Sequence, residues 1–92
     1  MNTSEAEDVL TAHLAQYAQR GYSELVQFVT TRSVAALEVF GPTGTPYQLE
    51  IECVWDEKPG GSIRILGSIS DGGLVRSLVP LSRSELIPSP IP

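Results

Sequence analysis

The spacing of apolar residues along the chain changes once, near Thr30, from a helical period to a strand period. Over "TSEAEDVLTAHLAQYAQRG", Ala6, Val9, Leu10, Leu14 and Tyr17 fall on one side of a helix. Glu5, Asp8, Ala12 and Gln16 fall largely on the other. Ser4 and Glu7 stand at capping-box spacing, acids crowd the first turn, and Arg20-Gly21 supplies a stop. A shorter pattern, "YSELVQFV", sets Tyr22, Leu25, Val26 and Val29 against Ser23, Glu24 and Gln27, and predicts a second helix.

Beyond Thr30 the alternation predicts four strands. In "YQLEIECVW", Tyr47, Leu49, Ile51, Cys53 and Trp55 share one face, with Gln48, Glu50, Glu52 and Val54 on the other. In "SIRILGSIS", Ile63, Ile65, Gly67 and Ile69 point inward and Arg64, Leu66 and Ser68 outward. "VAALEVF" turns Leu37 and Val39 inward around Glu38. The fourth strand is predicted over "LVRSLVPL", with Val75, Ser77, Val79 and Leu81 inward and Pro80 restricting it to an edge. "GPTG", "DEKPGG" and "DGG" read as hairpin turns, with Gly60 and Gly61 supplying positive φ in the second. The sheet is then an antiparallel meander whose apolar face needs a cover, and the two amino-terminal helices provide it. The predicted fold is α+β, with two helices packed on one face of a four-stranded antiparallel meander sheet. Residues 1–85 form the single domain, and 86–92 a flexible, proline-rich tail.

Composition narrows the functional classes. The 92 residues carry 41% hydrophobic side chains, enough apolar surface to offset the entropy of ordering. Six basic residues against 11 acidic ones give a net charge of −5, and the basic ones are scattered singly. Nucleic acid is therefore not an expected partner, whereas a basic protein is compatible with that charge. The amino terminus has no apolar segment of signal-peptide type, and no apolar run reaches membrane-spanning length. With a single cysteine, Cys53, placed in an apolar strand, this points to a cytoplasmic protein with no membrane association.

The residues that chemistry would require are scarce. His13 is the one histidine, and its helical angle places it within the apolar face. Cys53 points to the core, where a thiolate is disfavoured. Asp56 and Glu57 sit at one end of the third strand and Asp71 at the other, roughly 25 Å away at strand rise. Neither Gly60-Gly61 nor Gly72-Gly73 has phosphate-loop spacing. No enzymatic activity, cofactor or metal site is expected.

The outward positions hold more promise. A register with Trp55 opposite Ile63 and Ile69 opposite Val75 sets Glu52 beside Leu66, Leu66 beside Leu78 and Ser68 beside Arg76. Val54, Leu66, Leu74 and Leu78 then form an apolar strip rimmed by Glu50, Glu52, Arg64 and Arg76, the usual anatomy of an interface.

Tyr47 to Leu81 carries Trp55, Asp56, Lys58 to Gly61, Ile63, Arg64, Gly67 to Ile69, Asp71 to Gly73 and Pro80-Leu81. These resemble a group of small bacterial domains of unknown function sharing a Trp-Asp-x-Lys-Pro-Gly-Gly turn and an Asp-Gly-Gly turn. The resemblance implies one fold unit and no catalytic residue. The expectation is a protein-binding module, akin to an immunity protein, inhibitor or accessory subunit. Its predicted docking residues are Glu50, Glu52, Val54, Arg64, Leu66, Arg76 and Leu78. Two alternatives are a structural homodimer using the same face and a ligand binder or enzyme with a pocket near His13, Tyr17 and Trp55.

Overall fold

The structure, a computed structural model, describes residues 2–71 and 81–90. Two helices, α1 (Thr3–Ala18) and α2 (Tyr22–Thr30), precede four strands, β1 (Val34–Phe40), β2 (Pro46–Trp55), β3 (Ile63–Ser70) and β4 (Leu81–Ile87). The strands pair antiparallel in the order β1-β2-β3-β4, and both helices lie on one face. This is the α+β meander that the change of period predicts.

The start of α1 differs from the sequence expectation. Asn2 is the N-cap, its side-chain oxygen accepting from the Glu5 amide at 3.0 Å, while Ser4 lies inside the helix. An Asn with extended backbone caps as well as a Ser, so the helix begins two residues earlier. From there α1 buries Ala6, Leu10, Leu14 and Tyr17. Gly21, at φ +94°, breaks the chain direction between the helices, a conformation an L side chain resists.

The core forms where this helical stripe meets Tyr47, Leu49, Ile51 and Cys53 of β2 and Ile63, Ile65 and Ile69 of β3. The closest approach is at Gly67. A methyl group there would come within 2.9 Å of Leu10 Cδ1 and 3.0 Å of Leu14 Cδ2, so the missing side chain lets α1 sit down on β3. On the other flank α2 covers β2 through Leu25, and Tyr22 Oη donates to the Gly61 carbonyl at 2.6 Å. Helix and β2–β3 hairpin are thereby tied together.

Glu5 does not lie on the solvent face as its helical angle predicts. It is half-buried and accepts from Tyr47 Oη at 2.6 Å and from the Thr43 amide at 3.0 Å. The first turn of α1 overhangs the β1–β2 loop, which the helical wheel does not register. The Tyr47 and Thr43 bonds hold the Glu5 carboxyl below its ordinary range, and the same bond pushes Tyr47 up to about 12. In the β2–β3 turn only Gly60 has positive φ, at +84°, so Gly61 does not supply the second such position.

The largest difference concerns the fourth strand. It occupies Leu81–Ile87, overlapping the expected 74–81 only at Leu81, and Ile69 stands opposite Leu81. The expected partners Val75, Arg76 and Leu78, with Leu74, lie outside the described residues. The stretch 81–87 hides its strand character because Arg83 and Glu85 alternate with Ser82 and Ser84, leaving little apolar contrast. Arg83 takes a helix-facing position because Glu7 of α1 pairs with it. β4 also runs through Leu86 and Ile87, so the expected tail boundary at 86 falls within the strand.

Two outcomes test this packing. Gly67→Ala should lower unfolding free energy by about 1–3 kcal/mol, through overpacking against Leu10 and Leu14, measured by urea titration. Because the folded Glu5 carboxyl is depressed, the unfolded chain binds more protons as pH falls through the carboxylate range. The stability Glu5 contributes is present above about pH 4.3 and lost below it. Urea midpoints measured from neutral to acidic pH should therefore fall less steeply in Glu5→Gln than in the parent, from a lower neutral value.

Candidate functional site

With the helices on one face, the side chains of the other face remain uncovered among the described residues. Three neighbouring rows on it carry the predicted docking residues. The first runs Val34, Glu52, Leu66, Ser84; the second Ala36, Glu50, Ser68, Ser82; the third Val54, Arg64, Leu86. Of the predicted docking residues, Glu50, Glu52, Val54, Arg64 and Leu66 do come together here, with Trp55 opposite Ile63 and Glu52 opposite Leu66 as expected. Arg76 and Leu78 lie outside the described residues. Leu66 faces Ser84 and Ser68 faces Ser82, so the continuous leucine strip is replaced by an apolar centre flanked by hydroxyls.

A groove of about 690 Å³ lies over this face, lined by Val34 of β1, Glu50 and Glu52 of β2, Leu66 and Ser68 of β3 and Ser82, Arg83 and Ser84 of β4, so that Glu52 stands between Val34 and Leu66. Glu50 and Glu52 are both exposed. Arg64 carries the opposite charge, but its Nε donates to Asp56 Oδ1 at 2.9 Å and its Nη1 to Ser84 Oγ at 3.0 Å. It joins the β2–β3 turn to β4 and has its charge balanced at the groove's end. Among the described residues no ion pair engages Glu50 or Glu52, and Arg83, which also lines the groove, is paired with Glu7.

Sequence reasoning named neither Val34 nor the serines of β4. Val34 was legible, since placing Leu37 and Val39 inward places Val34 and Phe40 outward by alternation. Ser82 and Ser84 were not, because they depend on where β4 lies.

The residues weighed for catalysis are dispersed. His13 is half-buried, its Nδ1 lying 3.0 Å from the Val9 carbonyl oxygen, an acceptor, so that nitrogen carries the proton. Tyr17 lines a cleft of about 230 Å³ beside α2, and its ring lies 4.2 Å from the Arg20 guanidinium carbon. Trp55 lines a different cleft, of about 470 Å³, with Val29, Arg32 and Cys53. His13 lines neither. Among the described residues no cluster of three or more His, Cys, Asp or Glu is placed to hold a metal, and no helix is long and apolar enough to cross a membrane.

Compared with family models, with curated proteins and with solved structures, the chain matches none. The site's chemistry must therefore be read from its own residues.

Cys53 is buried, and that burial pushes its thiol up to about 11. Alkylation by a thiol reagent at neutral pH should be slow in the folded protein and fast in denaturant. Equal rates in both states would contradict the inward placement of alternate β2 residues.

Proposed function

We propose that this protein is a binding module without catalytic activity, which docks a basic protein segment in the groove on the outer face of its sheet. The observation that carries this reading is the composition of the groove. Apolar Val34 and Leu66 flank Glu52, with Glu50 beside them, while the nearby cations Arg64 and Arg83 are engaged by Asp56 and Glu7. A segment bearing an apolar anchor flanked by Lys or Arg would bury its anchor on Leu66 and pair its charges with the two carboxylates. The overall charge of −5 favours the encounter. Such a role belongs to the class of immunity proteins, inhibitors and accessory subunits, which act by occupying a partner. A cytoplasmic setting accords with the buried, unpaired Cys53.

The test uses partners recovered by crosslinking from the native host and rebound in purified form. Leu66→Ser should leave the fold intact, since Leu66 faces away from the helices, and should weaken binding at least about tenfold. Glu50→Gln with Glu52→Gln should slow association and remove most of its salt dependence. A recovered partner that binds all three forms equally, with the same salt dependence, would place the docking site elsewhere.

A further inference from the structure

We propose that the open edge of β1 pairs with the β1 edge of a second copy about a two-fold axis at Leu37, joining two four-stranded sheets into one of eight strands. This stands apart from the docking reading, because it rests on the backbone of the sheet's edge; Val34 alone belongs to both surfaces.

Among the described residues the edge is open. The Gly41 amide donates to the Thr45 carbonyl at 2.9 Å, continuing the register that sets Val34 opposite Glu52 and Phe40 opposite Pro46. In an antiparallel ladder the bonded residues alternate, so Ala35, Leu37 and Val39 direct their amides and carbonyls to β2. Val34, Ala36, Glu38 and Phe40 direct theirs away from the sheet. Among the described residues no strand pairs with them. The segment carries no proline, lysine or arginine, the usual guards of an exposed edge. By contrast, β4 is followed by Pro88 and Pro90.

The side chains favour a second copy. Val34 is 55% and Phe40 67% exposed on the outer face, although both are large and apolar. On the inner face Ala35, Leu37 and Val39 are only half-buried, because α1 packs chiefly on β3 and β4 and α2 on β2. Antiparallel pairing centred on Leu37 sets Val34 of each copy opposite Phe40 of the other, and Ala35 opposite Val39. Leu37 meets its own mate. Every large apolar residue left exposed or half-exposed on this strand then gains an apolar neighbour, the self-complementarity a two-fold interface requires. Glu38 faces Ala36 of the other copy. Moving the axis to Glu38 would set two carboxylates opposite each other, and moving it to Ala36 would set Val34 against Glu38. In the favoured register the two Glu38 carboxylates remain diagonal neighbours, which leaves a modest, salt-screened repulsion.

Sedimentation equilibrium from about 1 µM to about 1 mM tests the pairing. The parent should pass reversibly from one chain to two. Ala36→Pro deletes an outward amide without removing a bond to β2, and should weaken the dimer at least about tenfold while circular dichroism still reports a folded chain. Should that variant unfold, Val34→Lys with Phe40→Lys decides, since both side chains are exposed and the lysines would stand opposite each other. Glu38→Gln should tighten the dimer about two- to fivefold and abolish its strengthening by salt. Leu66→Ser should leave it unchanged even where partner docking is lost. A single-chain mass throughout the range would overturn the proposal, as would a dimer indifferent to both the proline and the lysine pair. Dissociation by Leu66→Ser alone would place the second copy on the outer face instead.

Discussion

The contact between α1 and β3 at Gly67 governs the rest of the structure. With no side chain in the way, Leu10 and Leu14 descend onto the strand, and the position and tilt of α1 follow. That placement brings Glu7 over Arg83 of β4 and carries Glu5 above the β1–β2 loop, where Tyr47 and Thr43 close around its carboxylate. A larger residue at 67 would lift the helix and slacken each of these connections together. The exposed ion pair contributes little energy by itself. Its consequence is geometric, because it gives an edge strand with few apolar residues a defined place against the helix.

Committing both helices to one face leaves two kinds of surface. The outer face is polar enough to remain in water, yet it sets Glu52 between the apolar Val34 and Leu66 with Glu50 beside them, and among the described residues no ion pair engages either carboxylate. The edges are unequal. β4 lies beneath α1 and runs into prolines, whereas β1 meets the core only through half-buried Ala35, Leu37 and Val39 and exposes Val34 and Phe40 on its other face. Docking and self-pairing thus draw on separate consequences of one arrangement. An eight-stranded sheet would set two grooves side by side on the same face, with Val34 of one copy and Phe40 of the other at the seam.

The sequence alone determined the helices, the first three strands, their inward residues and the register of β2 against β3. In each of these the apolar contrast is strong, and a slip of one residue would turn Ile51, Cys53, Ile63 and Ile65 to water. It also determined that Glu50, Glu52, Val54, Arg64 and Leu66 share a face, since alternation needs no knowledge of neighbours. Tertiary structure decided what depends on a partner remote in the chain. Glu5 reads as a solvent residue until Tyr47 is brought to it across 42 positions. Arg83 and Glu85 give the sequence no strand contrast until α1 offers Glu7, so β4 was sought in the more apolar stretch before it. That no described strand pairs with the outer edge of β1 was likewise decided by the packed fold. Periodicity records which way a side chain points, but only the packed fold establishes what it meets there.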